Sequence, residues 1–114
     1  GRAAWLATGA RLIEVGTDAA GRIDTPRALT ALAQAGLTRV LCEGGAGLAA
    51  ALVRDNLARD LVIYQAGRVF GGDGLAAVAS FGLTRIDGPS PWQPVDTVVL
   101  GEDIRSRWVR RGSR

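Results

Sequence analysis

Apolar residues recur along this chain at two spacings. After Thr25, apolar side chains fall at Ala28, Leu29, Leu32, Ala33 and Ala35, which is one face of a helix. Thr25 is the expected N-cap, Pro26 the first helical residue and Gly36 the stop. A second, Ala-rich helix is expected over 48–53, ending near Asn56. Shorter apolar runs predict strands over 11–15, 38–42, 61–66, 95–100 and 104–109. Val40-Leu41-Cys42 is continuously apolar, a pattern that suits burial on both faces, as in a parallel sheet. Gly101-Glu102-Asp103 is a tight turn between the last two strands. The segment 16–24 reads as a loop, 71–74 as a turn, 75–81 as a short helix and the Pro-containing 87–94 as a loop. The first ten residues carry no clear pattern. The expected order is β-α-β-α-β followed by an antiparallel hairpin, an α/β fold. No repeat or linker divides the chain, so its 114 residues read as a single domain. A folded chain of this size is expected to bury roughly two-thirds of its surface.

Composition narrows the chemistry. Hydrophobic residues make up 47% and charged residues 22%, as in ordinary globular proteins. There is no His, no Met and no Lys, and one cysteine, Cys42. These absences exclude, within this chain, a Ser-His-Asp triad, a Cys-His pair, a His-ligated zinc, a Schiff-base lysine and the P-loop lysine. A single Cys also excludes an internal disulfide and a four-cysteine metal site, and no metal site is expected. Any catalysis here must use carboxylates, Arg, backbone groups or a borrowed cofactor.

The net charge is +3, but the excess is local: five of the 14 basic residues are Arg105, Arg107, Arg110, Arg111 and Arg114. A basic tail on a slightly acidic body reads more simply as a solvated surface than as a nucleic-acid site. No run reaches the ~18 apolar residues of a membrane span. The free Cys and the absence of a signal-like start point to the cytoplasm.

One stretch carries candidate chemistry: Val40-Leu41-Cys42-Glu43-Gly44-Gly45-Ala46-Gly47-Leu48. An expected strand ends, a glycine turn follows and a helix begins. Ligands of open α/β sheets sit beyond the carboxyl ends of strands. Free amides and the helix dipole favour a phosphate there, and glycine lets it approach the backbone closely. Gly45 to Ala50 reads G-x-G-x-x-A, yet the acidic residue that a Rossmann site wants at the end of the next strand is replaced by Gln65-Ala66. An ordinary Rossmann site is therefore not expected. On local pattern alone, the glycines suit a phosphate or simply a tight turn. Glu43, at the mouth of that turn, suits a substrate ligand or a surface carboxylate equally. Cys42 is expected in the core. Arg68 is a solvated Arg or a phosphate contact, Trp92 a cap on an apolar edge, and Trp108 with Val109 a core or dimer contact.

The segment TRVLCEGGAGLAAALVRDNLARDLVIYQAGRVFGG resembles the strand, Glu-Gly-Gly turn, helix and strand at the centre of the reductase domain of bacterial bifunctional riboflavin-biosynthesis proteins, which has a dihydrofolate-reductase-like fold. Gly21-Arg22-Ile23-Asp24, Leu57 to Tyr64, Ala66 to Gly71 and Gly101-Glu102-Asp103 are similar to further segments of that family, in order. The resemblance implies the C-terminal part of a three-layer sandwich, an incomplete reductase domain whose front half lies outside the matching segments. It implies NADPH-dependent reduction of 5-amino-6-(5-phosphoribosylamino)uracil to the ribityl form. Glu43 would then contact substrate. Gly44, Gly45, Ala46, Gly47, Leu48, Ala49, Ala50 and Ala51 would line the cofactor, with an unusual peptide conformation at Gly44-Gly45. A homodimer is implied, with neither nucleic acid nor membrane as partner. A piece of this length is not expected to transfer hydride alone. The departures are Ala58-Arg59-Asp60 in place of Val-Asp-Glu, and Gly67 in place of Pro. The competing readings are a non-catalytic nucleotide- or phosphate-binding module of the same fold, and a nucleic-acid-binding piece driven by the Arg tail.

Overall fold

The computed structural model describes residues 1–112. It contains helices α1 (Arg2–Ala7), α2 (Thr25–Gln34) and α3 (Ala46–Arg54), then strands β1 (Asp60–Ala66), β2 (Trp92–Leu100) and β3 (Asp103–Arg110). The α/β class and the closing antiparallel hairpin are as expected. The chain separates into two compact units, Gly1–Cys42 and Glu43–Arg114.

The first unit is built on α2. Its cap is Asp24 rather than Thr25: the Asp24 carboxylate accepts from the Arg27 amide at 3.0 Å, and Pro26 falls in the first turn. The change of one position follows from chemistry, because a carboxylate reaching back to the first-turn amides also meets the positive end of the helix. Thr25 is buried instead. Gly36, at φ +90°, ends the helix in the left-handed conformation that glycine adopts without strain. Ahead of α2, Asp18 organises the loop. Its side chain accepts from the amides of Ala20 and Arg22, and an isolated bridge joins Thr17 to Ile23. The hydrogen bond from the Arg22 amide, above all, holds the Asp18 carboxyl below the ordinary Asp range. The patternless start contains α1, and Arg2 pairs with Glu14.

The second unit contains a three-stranded sheet in the order β1-β3-β2, antiparallel throughout. β3 is central. Leu61 faces Trp108 and Ile63 faces Ser106 on one side, while Thr97 and Val99 face Ser106 and Ile104 on the other. Between Leu100 and Asp103 the chain reverses in two residues, with φ +65° at Gly101. Positive φ at the first central position alone is the type II′ turn that matches strand twist. On β2 the register shifts between Pro94 and Asp96. Pro94 lacks an amide hydrogen, so it fits an edge strand and a bulge, and the expected loop 87–94 gives up its last three residues to this strand.

Three expected elements do not form. Residues 11–15 and 38–42 belong to no strand, and 75–81 is not a helix. A strand is held by its neighbours, and neither segment has one among the described residues, so the expected parallel pairing is replaced by an antiparallel sheet alone. Val40 is 52% and Leu41 80% exposed, which corrects the expected burial on both faces. In 75–81, Ala79 donates its amide to Ala46 O at 3.0 Å, a contact made outside its own segment in place of a local helical turn.

Burial is correspondingly low. The expectation of a large core is corrected: Ala50 of α3 is the one buried apolar residue among those described.

Candidate functional site

α3 begins at the glycine turn. Gly45 is its N-cap, with φ −65° and ψ 173°, and no side chain caps the first turn. Leu48 and Ala49 donate their amides to Gly45 O at 3.0 and 3.2 Å. The first turn contains no acidic residue, and the last contains Arg54. The helix therefore presents its positive end without a competing carboxylate inside the turn.

The glycines here are not demanded by the fold. Gly45 and Gly47 do not have positive φ, and a Cβ built on either would meet nothing within 4 Å. Steric need does not explain them in this structure. The room they leave in front of the turn fits a group that approaches the backbone, such as the phosphates of a dinucleotide. No peptide bond among the described residues is cis.

The nine residues singled out in sequence are contiguous and lie in the second unit. Glu43 and Gly44 are exposed ahead of the helix; Ala46, Ala49 and Ala51 are half-buried, Ala50 is buried and Leu48 is 44% exposed. Sequence reasoning missed Ala79, whose amide reaches the first residue of α3. No motif signals it, since the contact joins residues 33 positions apart.

Other candidates change role. Cys42 is exposed rather than in the core, because the segment it ends has no strand beside it. Arg68 lines a cavity of ≈490 Å³ with Ala66, Gly67, Glu102 and Asp103, and those two carboxylates make it a poor phosphate site. Trp92 begins β2 and lies under the Arg110 guanidinium, 5.4 Å from its ring centroid. Trp108 is half-buried and donates its indole N–H to Ser106 Oγ at 3.1 Å.

The basic tail is more than a solvated surface. Arg107 donates to Asp60 at 2.7 Å and Arg105 to Asp96 at 2.7 Å. Arg110 donates to Asn56, and Arg111 to Ser90 O at 3.1 Å. These four arginines tie the strands and their flanking turns together. Arg114 lies outside the described residues. Among those described, no group of three or more His, Cys, Asp or Glu is placed to hold a metal, and no helix is long and apolar enough to cross a membrane.

The sequence profile described as the RibD C-terminal domain matches residues 3–105. The chain belongs to this family. None of the curated proteins compared with it matches. Among solved structures, the chain is similar to RibD from Acinetobacter baumannii, form 2, with a TM-score of 0.62 and 22% identity. That likeness covers 78% of this chain and 25% of the Acinetobacter chain, and it shows the shared dihydrofolate-reductase-like fold. This RibD C-terminal domain thus spans about a quarter of the length of the solved protein it matches.

Proposed function

We propose that this RibD C-terminal domain serves a reductase of riboflavin biosynthesis, reducing 5-amino-6-(5-phosphoribosylamino)uracil to its ribityl form with NADPH. The observation that carries the reading is the uncapped, glycine-opened start of α3 in a chain that belongs to this family.

The cofactor, when bound, supplies the hydride, so the chain needs no nucleophile of its own. That agrees with a sequence lacking His and Lys. The chain's own residues bind and orient. The backbone of Gly44, Gly45, Ala46 and Gly47 offers amides to the cofactor phosphates, with the helix dipole adding to the attraction. Leu48, Ala49, Ala50 and Ala51 form the helix face behind that turn. Glu43 accepts hydrogen bonds from amino or hydroxyl groups of the substrate, which sets the sugar carbon against the cofactor. The protein works as a homodimer in the cytoplasm, without nucleic acid or membrane. The exposed free thiol of Cys42 supports a reducing compartment. The engagement of the tail arginines with Asp60, Asp96, Asn56 and Ser90 supports a structural rather than a nucleic-acid role.

The test is NADPH oxidation, followed by absorbance, in the protein at its full encoded length. Turnover with the pyrimidine substrate, and at least a tenfold loss of it in Glu43→Gln, supports the reading. Saturable NADPH binding without turnover would instead favour the non-catalytic binding module. No binding at all overturns both.

A further inference from the structure

The turn that begins α3 lies at one end of a helix, and at the other end a side chain of β3 reaches the residue that closes it. α3 is closed by Asn56, the one non-glycine residue with positive φ among those described, at φ +60°. The amides of Asn56 and Leu57 turn back to Val53 O at 3.2 Å and Leu52 O at 2.9 Å. Arg110, the last residue of β3, reaches this corner with both its backbone and its side chain. Its amide donates to Arg59 O at 2.9 Å. Its Nη2 donates to Asn56 Oδ1. Its guanidinium lies over the Trp92 ring, 5.4 Å from the centroid. The end of α3, the residue before β1, the start of β2 and the end of β3 thus converge on one residue. A guanidinium suits the post because it is planar, stacks on an indole and still presents donors at its edge.

We infer that Arg110 is a positioning residue for the candidate cofactor turn: acting through Asn56, it fixes the direction of α3 and so the place of the Ala46 and Gly47 amides. The inference rests on the reading of that turn as the cofactor site. α3 has nine residues, which puts its first turn about 13 Å from the anchored corner. A tilt of about 5° moves the far end of such a helix by about 1 Å, and misplacement on that scale costs up to about 100-fold in a positioned site. Arg110 itself does not touch the cofactor.

Asn56→Gly is the informative variant, since glycine keeps the positive φ and removes only the acceptor. In the protein at its full encoded length it is expected to weaken NADPH binding about fivefold to tenfold while the Tm stays within a few degrees of wild type. Asn56→Asp, which restores an acceptor, recovers the affinity. The losses from Arg110→Ala and Asn56→Gly are less than additive in the double variant, because both remove the Arg110–Asn56 hydrogen bond, while Arg110→Ala also takes the guanidinium from Trp92. A second readout needs no cofactor: hydrogen exchange at the Leu48 and Ala49 amides, bonded to Gly45 O, rises about fivefold in Asn56→Gly. If wild type binds no NADPH but this exchange effect is present, the positioning role stands and the cofactor reading falls. If Asn56→Gly leaves both exchange and affinity unchanged, or if Asn56→Asp fails to recover affinity, the positioning role is overturned.

Discussion

Leu61-Val62-Ile63-Tyr64 and Val40-Leu41-Cys42 are both short, continuous apolar runs, each preceded by an Arg one or two residues upstream, Arg59 and Arg39. The first is the middle of β1, laid along β3 from Asp60 opposite Val109 to Ala66 opposite Asp103. The second belongs to no strand and leaves Leu41 80% exposed. Composition is not what separates them. β1 has a partner whose own sequence holds it there, through the II′ turn at Gly101 and the pairing of Arg107 with Asp60. Residues 38–42 have no such neighbour. An apolar run is a request for a partner, and the structure of the run is the partner's answer.

The largest test of this contrast is a pair of prolines. Ser106→Pro, in the central strand, removes a ladder donor and is expected to cost about 3 kcal/mol or more, abolishing cooperative unfolding of the sheet in a thermal melt. Leu41→Pro is expected to stay within about 0.5 kcal/mol of wild type. Comparable losses in the two variants would mean that 38–42 is a paired strand in solution, and the contrast would fail.

A second comparison sets glycines that a positive φ requires against glycines that no backbone conformation requires. Gly101 and Gly36 have positive φ, whereas Gly47 sits inside α3 with open space around it. Gly47→Ala is therefore expected to stabilise the helix by up to about 1 kcal/mol. The same change is expected to weaken NADPH binding about tenfold, a loss of about 1.4 kcal/mol. A melt and a fluorescence titration on one sample check both. Unchanged affinity would return the glycine to an accident of composition.

A smaller effect sharpens the account of the basic tail. Arg107 and Asp60 are 45% and 35% exposed at their side chains, so solvent screens the pair. Asp60→Asn is expected to cost about 0.5 kcal/mol, read as a lowered Tm that shrinks further in high salt. A far larger loss would make the Arg107–Asp60 pair, rather than the ladder and the Leu61–Trp108 pairing, the main anchor of β1.

The smallest effect is in the Asp18 loop. The folded carboxyl is held below its ordinary value, chiefly by the Arg22 amide. The deprotonated form is thus the one that the fold favours. Its contribution is present above the ordinary Asp range and is lost as pH falls through the lowered folded value. Amide exchange at Ala20 and Arg22 is expected to quicken at that acid end, with the β3 amides unaffected.

Local signals were legible where their physics is local. The Pro26 start and Gly36 stop of α2, the glycine start of α3 and the Gly101 turn each depend on a few adjacent residues, and each was readable. The strands 95–100 and 104–109 were readable as well, because a hairpin brings its own partner, and 61–66 was readable as an apolar run although its partner β3 lies far along the chain. The cap moved from Thr25 to Asp24 because the two neighbours are rival acceptors and only geometry chooses between them. The candidate turn was legible as Glu43 to Ala51, but Ala79 beside it was not, since a single backbone contact across 33 residues leaves no pattern.

The sequence by itself determined α2, α3, the hairpin, the family and the absence of His and Lys chemistry, because propensity, turn geometry and residue inventory act within a few positions. Tertiary structure alone decided which apolar runs became strands. It decided that the sheet is antiparallel with β3 at its centre. It also decided that arginines reading as a solvated tail would close the corners of the sheet. Hydrogen-bond ladders and ion pairs join residues far apart in the chain, and only the folded chain brings them together.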